Sequence, residues 1–350
     1  MKTFLKILLW IILIIIIAFA GLITWLSIEE YKPAPVEDIE ISACPDSINP
    51  KAGEGINILS WNIGYAGLGE GSDFFMDGGK DSQSADEATV NKYLDGIEDT
   101  IDGVSPDITM LQEVDLDSKR TYGINEAERL SDGNSVHALN YSCPFVPIPM
   151  PPMGKINSGV FTTTAYEIKG AQRVALPCPF SWPVSTANLK RCLLVSYLPV
   201  EGSDSQLVIV NLHLEAYDDG EGKLAQTRML REFIAGEYEK GNYVIAGGDF
   251  NQTFPGSMED YPIIQDDYWV PGVLDDSFLP EGWEFAYSLE EPTCRLLNHP
   301  YDSENEENNQ FYVLDGFIIS PNVELNSVEN INVHFKNSDH NPVLINVTLK

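Results

Sequence analysis

Polar side chains end several of the apolar, strand-like stretches in this sequence of 350 residues. Such groups do not stabilise a hydrophobic core, because burying one without a hydrogen-bond partner costs about 1–3 kcal/mol. The positions are Asn62, Glu113, His213, Asp249 with Asn251, Asp315, and Asp339 with His340. Each has an ordinary explanation when taken alone, such as an asparagine that caps a turn or a structural histidine. Their recurrence at strand ends instead indicates carboxylate, amide and imidazole groups that converge at one rim of a β core.

Such a cluster suits the metal-assisted hydrolysis of a phosphoester. Mg²⁺ binds oxygen ligands, usually one or two carboxylates with water and substrate phosphate, and it stabilises the charge that develops on phosphate oxygens. Another carboxylate can take a proton from the attacking water, and imidazole and amide groups can donate hydrogen bonds to the transition state. The sequence lacks the GxSxG, HExxH and Walker A signatures of other common hydrolytic and nucleotide-binding sites.

The polar positions belong to short motifs whose order resembles that of the endonuclease/exonuclease/phosphatase superfamily. The motifs are Ser60-Trp61-Asn62, Leu111-Gln112-Glu113, Asn211-Leu212-His213, Gly248-Asp249-Phe250-Asn251, Asp315 and Ser338-Asp339-His340. The resemblance runs from about Ile56 to Lys350. It implies a deoxyribonuclease I-like α/β fold, a four-layered αββα sandwich with its site at one rim. It also implies an enzyme that hydrolyses phosphoric esters, phosphodiesters above all, with Mg²⁺ or alternatively Mn²⁺.

The same resemblance implies which residues hold the metal ion and the attacking water. Glu113 is expected to be the principal metal ligand, with Asn62 close by and Asp339 contributing to the metal site. Asp249 is expected to activate or orient the water, and Asn251 to hold the substrate or the transition state.

The resemblance also assigns roles to the imidazoles. His213 is expected to donate a hydrogen bond to the phosphate, and Asp315 to orient His340 against the scissile phosphate. Which group is the base stays open, so Asp249 and His340 are treated as a coupled pair. The sequence departs from the family after Asp315, where Gly316 replaces a frequent tyrosine or arginine.

Two further polar residues, Lys155 and Asn157, are candidates for substrate binding. Lys155 and Asn157 lie where the family places substrate contacts, but their segment equally fits a plain turn before a strand. Arg191 opens a strand-like stretch and can face either the site or the solvent, so it is not assigned a role.

The elements that must position these residues alternate between strand-like and helical patterns. The predicted strands are Ile56–Trp61, Ile108–Glu113, Leu193–Leu198, Leu207–Leu212, Tyr243–Ala246, Phe311–Ile319 and Val343–Leu349. Apolar residues at three- and four-residue spacing predict helices over 90–104 and 224–238. The arrangement favours packed mixed sheets covered by helices.

An uncharged apolar stretch from Ile7 to Ser27 precedes all of these elements. Its length matches a hydrocarbon core about 30 Å thick. Lys2 and Lys6 come before it, which predicts a single-pass anchor with a cytoplasmic N-terminus and the remaining chain outside. The rival interpretation is a cleaved signal peptide and a secreted protein, since Ala18-Phe19-Ala20 resembles a cleavage site.

The domain prediction follows from this stretch. Residues 1–27 form a membrane anchor, residues 28–54 an extracytoplasmic tether rich in proline and acids, and residues 55–350 the catalytic domain. Within that domain, residues 144–153 are proline-rich and apolar, which predicts a loop. This loop is expected either to form a wall or lip of the active-site mouth or to fold onto the domain's own core.

The charge of the chain narrows the class of substrate. Fifty-three acidic and 21 basic residues give a formal net charge of −32. That charge repels polyanions, and no dedicated nucleic-acid-binding surface is evident. A lipid headgroup or small phosphoester is therefore favoured over long duplex DNA, although an external nuclease stays open. The alternative from another class is a non-catalytic binding module on the same fold. The sequence does not predict an oligomeric state.

Overall fold

The computed structural model describes residues 2–84, 86–218 and 220–350. Its helices are α1 (Lys2–Ile28), α2 (Glu87–Val104), α3 (Glu126–Arg129), α4 (Glu221–Glu239) and α5 (Ser257–Asp260). The predicted helices over 90–104 and 224–238 are confirmed, and each begins three residues earlier than expected. The early start of α2 has a local cause, because the Asp86 carboxylate accepts a hydrogen bond from the Thr89 amide at 2.7 Å.

The first large sheet contains strands from both ends of residues 55–350. It has six strands in the spatial order β16-β17-β2-β3-β5-β4. Their bounds are β2 (Gly55–Asn62), β3 (Ile108–Asp115), β4 (Asn134–Val146), β5 (Gly154–Thr164), β16 (Val323–Asn330) and β17 (Val343–Leu349). β2 and β3 are parallel, whereas the other neighbouring pairs are antiparallel.

The second large sheet has seven strands in the order β1-β6-β7-β8-β9-β15-β12. Their bounds are β1 (Val36–Asp38), β6 (Gly170–Ala175), β7 (Cys192–Pro199), β8 (Gln206–His213), β9 (Tyr243–Asp249), β12 (Glu284–Ala286) and β15 (Asp315–Ile319). Two short pairs complete the strands: β10 (Gln252–Thr253) with β11 (Gly272–Val273), and β13 (Cys294–Arg295) with β14 (Phe311–Tyr312).

The two sheets pack face to face, and a helix covers the outer face of each. Side chains from both sheets, such as Ile58 and Ile209, share one buried cluster. On the outside, Leu94 of α2 packs in a cluster with residues of the first sheet, and Leu230 of α4 does so with the second. The layers therefore run helix, sheet, sheet, helix, as the sequence predicts.

Strand β8 shows why the strand-like stretches are continuously apolar. Successive side chains of a strand point to opposite faces. Leu207 and Ile209 enter the cluster between the sheets, whereas Val208 and Val210 enter the cluster beneath α4. Because both faces are covered, both sets must be apolar.

The predicted strand Phe311–Ile319 is corrected to two strands. Residues 311–312 pair with β13, whereas residues 315–319 pair with β9 in the second sheet. Between them, the hydroxyl of Thr293 accepts hydrogen bonds from the amides of Leu314 and Asp315 at 2.9 and 3.1 Å. This side chain satisfies the backbone where the chain changes partners, which periodicity alone does not reveal.

The predicted tether is also corrected, because residues 28–54 lie along the domain instead of standing apart from it. Val36 pairs with Val174 as β1 joins the open edge of β6. Further on, the amide of Glu201 donates to the carbonyl of Pro50 at 2.9 Å. An open sheet edge offers unpaired backbone groups to any extended segment, so the boundary at residue 54 does not separate two bodies.

The proline-rich segment forms the predicted loop over residues 147–153, whereas residues 144–146, also predicted as loop, belong to strand β4. β4 ends at Val146 and β5 begins at Gly154, so residues 147–153 connect them. Pro144 falls within β4, which is tolerated because β4 lies at the edge of its sheet.

Among the described helices, α1 alone is long and apolar enough to cross a membrane. The qualifying part runs from Thr3 to Ile28.

Candidate active site

Strand pairing brings the polar strand ends to one rim of the sandwich. In the first sheet Asn62 lies opposite Gln112, next to Glu113. In the second sheet His213 lies opposite Asp249, which in turn lies opposite Asp315. Because the sheets face one another, these two rows of polar ends meet.

Unusual backbone conformations aim two of the side chains. Glu113 has a φ of +56°, at an irregularity in the pairing of β3 with β5. Asn251 has a φ of +50°. Left-handed conformations are uncommon for residues other than glycine and concentrate at functional sites.

Gly248 permits the close approach of β9 to β8. Its φ is +143°, and a Cβ atom there would lie 1.9 Å from the carbonyl oxygen of Leu212. Only glycine fits this position. The close approach places the next residue, Asp249, beside His213, with Oδ2 of the aspartate 3.4 Å from Nε2 of the histidine.

Asn62 is the hub of the polar cluster. Its Nδ2 group donates to Oδ2 of Asp249 at 3.0 Å and to Oε1 of Glu113 at 3.3 Å. Nε2 of His340 lies 3.5 Å from the same nitrogen. The side-chain oxygen of Asn62 accepts from the amide of Gly64 at 3.0 Å, which fixes the orientation of its amide group.

His340 is held from two sides. Its Nδ1 atom lies 2.8 Å from Oδ2 of Asp315, and its carbonyl accepts from the indole of Trp61 at 2.8 Å. Burial alone would lower the pKa of His340, but nearby acids, Asp315 first among them, raise that pKa well above its usual value. The imidazole is therefore cationic at neutral pH, and its Nε2 atom presents a hydrogen to the cluster.

The other two members of this group titrate differently. Burial and the charge of Asp315 raise the pKa of Asp249 to about 6, so its carboxyl group is ionised at neutral pH. Burial, Arg191 and His340 lower the pKa of His213 well below its usual value. His213 is therefore neutral. For the coupled pair left open by the sequence, these pKa directions favour Asp249 as the proton acceptor and His340 as the donor.

Three carboxylates in the cluster offer oxygen ligands without a lysine or arginine partner. Among the residues that the structure describes, no lysine or arginine forms an ion pair with Glu113, Asp249 or Asp339. Burial, reinforced by Glu113, raises the pKa of Asp339 to about 7. A cluster of carboxylate oxygens without a lysine or arginine partner fits a hard divalent cation, so the donor set agrees with Mg²⁺.

Two tight groupings around His340 are less suited to a metal ion. Its ligand atoms lie close to those of Asp249 and Asp315, and also close to those of Cys294 and Asp339. In the first grouping, however, Asp315 already binds Nδ1 of the imidazole. In the second, the thiol, carboxylate and imidazole form a softer ligand set than the one that Mg²⁺ prefers.

Two motif residues support the cluster from beneath. Gln112 donates to the side-chain oxygen of Asn211 at 2.9 Å, across the interface between the sheets. Asn211 in turn donates to the carbonyl of Phe161 at 2.8 Å. This buried link fixes the spacing of the two sheets under the site.

The cluster lies at one end of a cavity of about 460 Å³. Most of the predicted site residues line this cavity: Asn62, Glu113, His213, Asp249, Asn251, Asp339 and His340. Asp315 lies behind His340 and contacts it instead of lining the cavity.

Lys155 and Asn157 do not line the cavity, and their contact with substrate stays a prediction. Both side chains contact Asp117: Lys155 forms an ion pair with it, and Nδ2 of Asn157 donates to it at 2.6 Å. The reason is the alternation of side chains along β5, which places Ser158, and not Asn157, at the cavity.

Arg191 is the cavity residue that the sequence left unassigned. Its side chain is 4% exposed, and its Nε and Nη1 atoms have no hydrogen-bond partner within the described chain. Its nearest acid is Glu215, 3.8 Å away. A buried guanidinium with unused donors is suited to an anionic ligand. In the sequence, Arg191 stands just before strand β7. One residue alone does not reveal which face of the sheet its side chain occupies.

Comparisons with known proteins agree with this geometry. Residues 59–340 match the model of the Endonuclease/Exonuclease/phosphatase family. No curated protein matches the sequence.

Solved structures share the fold at low sequence identity. An endonuclease/exonuclease/phosphatase from Beutenbergia cavernae superposes with a TM-score of 0.54 at 16% identity, covering 84% of this chain and 72% of that one. One from Bacteroides vulgatus gives 0.53 at 17% identity, covering 85% and 100%. The human Nocturnin catalytic domain, with a bound sulfate anion, gives 0.51 at 16% identity, covering 89% and 97%.

Proposed function

This chain belongs to the endonuclease/exonuclease/phosphatase family, and we propose that it is a membrane-anchored phosphodiesterase that uses Mg²⁺, with Mn²⁺ as the alternative. Family members are phosphoester hydrolases that generally use divalent metal ions. The observation that carries the proposal for this chain is the convergence of Asn62, Glu113, Asp249 and His340 at one end of a cavity, with Asn62 hydrogen-bonded to both acids and His340 to Asp315.

Glu113 and Asp339 are the residues whose carboxylates would hold the metal ion, with Asn62 beside them and its Nδ2 group donating to Glu113 at 3.3 Å. Carboxylate oxygens are of the type that Mg²⁺ prefers, and no lysine or arginine of the described residues forms an ion pair with these two acids. When bound, the ion supplies positive charge to a non-bridging phosphate oxygen.

The attacking water would be activated by Asp249. Its carboxylate takes one proton as the water oxygen forms a bond to phosphorus and the bond to the leaving oxygen breaks. The backbone amide of Asn251 holds the aspartate by donating to Oδ1 of Asp249 at 2.8 Å. Asn62 holds the other carboxylate oxygen at 3.0 Å. One proton acceptor is thus oriented from both sides.

The charge that builds on the phosphate would be stabilised by donors from three directions. Nε2 of His340, whose ring is held by Asp315, lies 3.8 Å from Oδ2 of Asp249, and Nε2 of neutral His213 lies 3.4 Å from the same oxygen. Arg191 supplies a guanidinium with unused Nε and Nη1 donors. Preoriented donors of this kind contribute most where water is excluded.

We propose a retained anchor and an extracytoplasmic domain. Lys2 and Lys6 support a cytoplasmic N-terminus by the positive-inside bias. The apolar run continues past Ala20 to Leu26, which is longer than the apolar region of a signal peptide and supports an uncleaved helix. Residues 28–350 then form the extracytoplasmic unit, with a phosphoester substrate and no dedicated nucleic-acid surface.

Hydrolysis of bis-p-nitrophenyl phosphate by the full-length protein in dodecyl maltoside tests the proposal. We expect release of p-nitrophenol with Mg²⁺, loss of that activity in EDTA, and recovery when Mg²⁺ is restored. Asp204→Asn is a matched control for acid substitutions at the site, because Asp204 is exposed and remote from the cavity. A well-folded protein that hydrolyses no diester with Mg²⁺ or Mn²⁺ would instead support a non-catalytic binding module.

A further inference from the structure

The cavity continues past the polar cluster to the anchor helix. At one end lie the acids and imidazoles described above. At the other end the lining is apolar and comes from three segments: α1, the proline-rich loop region, and residues 180–189. The apolar residues used below are Ile23, Leu26, Val146, Ile148, Met153 and Val184. Helix α1 is therefore one wall of the same space that holds the candidate catalytic groups.

Helix α1 divides into a free part and a part in contact with the domain. Residues 3–21 are exposed along their whole length. At about 1.5 Å per residue, this free part is about 28 Å long, close to the hydrocarbon thickness of about 30 Å. Leu22 and Leu26 pack against the domain, and Leu26 is 1% exposed. The membrane surface therefore falls beside the apolar end of the cavity.

Specific contacts hold the end of α1 in this position. The indole of Trp182 donates to the hydroxyl of Ser27 at 3.0 Å. Just beyond the helix, Nζ of Lys190 lies 3.0 Å from Oε1 of Glu30. Leu26 packs in a cluster with Val146 and other residues of β4 and β5. The helix is thus attached to the cavity wall on two sides.

An exposed apolar rim surrounds this end of the cavity. Its members are Ile148, Met150, Trp182 and Val184, which are 63%, 84%, 66% and 57% exposed. Clustered exposed apolar groups mark an interaction surface, and tryptophan is enriched at the membrane–water interface. Because the rim adjoins the point where α1 leaves the bilayer, the lipid surface is the partner that it meets.

We infer that the substrate is an amphipathic phosphoester taken from the bilayer, with its hydrocarbon chain against α1 and the proline-rich loop. This inference rests on the proposed phosphodiesterase function and adds the substrate class. A cavity of about 460 Å³ lies within the roughly 300–1,000 Å³ of small-molecule sites. It therefore holds a headgroup and the first part of a chain, and the remaining chain stays among the membrane lipids.

A series of p-nitrophenyl phosphodiesters whose second ester group is methyl, butyl or octyl tests this inference. The leaving group stays constant, so only the chain changes. Full-length protein is assayed with Mg²⁺ in dodecyl maltoside micelles, which contain no phosphoester. Each buried methylene is worth about fourfold in binding. We therefore expect kcat/KM to rise at least about tenfold from the methyl to the octyl ester.

Variants with matched controls separate cavity binding from partition into micelles, which is the same for every variant. Ile148→Asn with Val184→Asn alters the exposed wall, and Ile23→Ala alters the helix wall. The controls are Val273→Asn, which is as exposed as Val184, and Ile16→Ala in the free part of α1. We expect the wall variants to hydrolyse the methyl ester within about twofold of wild type and to lose at least about threefold of the octyl advantage.

The outcomes distinguish the two proposals. Methyl-ester hydrolysis without a chain-length advantage overturns the lipid inference and leaves the phosphodiesterase intact. The lipid inference is also overturned, and the phosphodiesterase proposal left intact, if the wall variants keep the same octyl advantage as the controls. Absence of hydrolysis of every ester overturns the proposed function, and the lipid inference with it.

Discussion

Two buried groups of carboxylates lie on either side of Val114 in strand β3, and they are satisfied in opposite ways. Asp115 is fully buried and accepts two hydrogen bonds from Arg120, at 3.0 and 2.9 Å. The hydroxyl of Thr121 adds a third at 3.0 Å. On the other side, Glu113 joins the cavity cluster, where no lysine or arginine of the described chain pairs with it.

The difference shows how a structural ion pair is told apart from a site. Around Asp115 the charges balance: burial raises the pKa of Glu126 well above its usual value, and Arg120 stacks on the ring of Tyr65 at 3.5 Å. In the cavity, burial raises the pKa of Asp249 to about 6, which means that its charge is held at a cost. A divalent cation would relieve that cost, so the unbalanced cluster is the one suited to ligand binding.

The replacement of Asp249 by asparagine tests the catalytic role of the cavity cluster. We expect turnover of bis-p-nitrophenyl phosphate to fall by about 10²–10⁴-fold, because the proton acceptor is lost. Stability should change by less than about 1 kcal/mol, because removal of a buried charge offsets the weakened bond from Asn62. Kinetics with Mg²⁺ and denaturant unfolding in EDTA measure the two effects. Near-wild-type turnover would remove Asp249 from the mechanism.

The replacement of Asp115 by asparagine tests the structural role of its buried ion pair with Arg120. We expect a loss of about 3–5 kcal/mol in the free energy of unfolding, because Arg120 would stay buried without its anion. The measurement is the denaturation midpoint in dodecyl maltoside. Asp117→Asn is the neighbouring control, since Asp117 is half exposed and its ion pair with Lys155 is worth little. Equal midpoints for the two variants would contradict a structural role for Asp115.

Much of the site could be predicted from sequence because its residues sit at strand ends. An apolar run followed by a polar residue marks the rim of a sheet, and the GDFN motif adds a glycine whose conformation only glycine adopts readily. The two sheets and their covering helices follow from periodicity in the same way. For these residues, position along the chain determined position in space.

The remaining features depend on packing that a pattern does not encode. Lys155 and Asn157 differ from Ser158 only in the facing of β5, and an error of one residue reverses that facing. Arg191 became visible as a cavity residue only when its unused donors and burial were known. The burial of Leu26 against β4 and β5 requires a contact between residues more than 100 positions apart, which no local signal predicts.

The replacement of Glu113 by glutamine tests the metal site, because the variant keeps an oxygen ligand and loses only the charge. We expect the Mg²⁺ concentration for half-maximal activity to rise by about 10- to 100-fold, as for other losses at metal sites. Activity at saturating Mg²⁺ should fall less than in Asp249→Asn. A metal titration of initial rates measures both quantities. An unchanged titration would count against Glu113 as a metal ligand.

The smallest effect is expected from Lys155→Ala, which tests whether alternation along β5 was interpreted correctly. Lys155 is about half exposed and pairs with Asp117 outside the cavity. Such surface pairs contribute about 0–1 kcal/mol, so we expect kcat/KM within about twofold of wild type and stability within about 0.5 kcal/mol. Ser158→Ala is measured alongside it for comparison, because Ser158 lies on the same strand and lines the cavity. A large rise in KM for Lys155→Ala alone would show that this lysine contacts substrate after all, and that β5 shifts or turns when substrate binds.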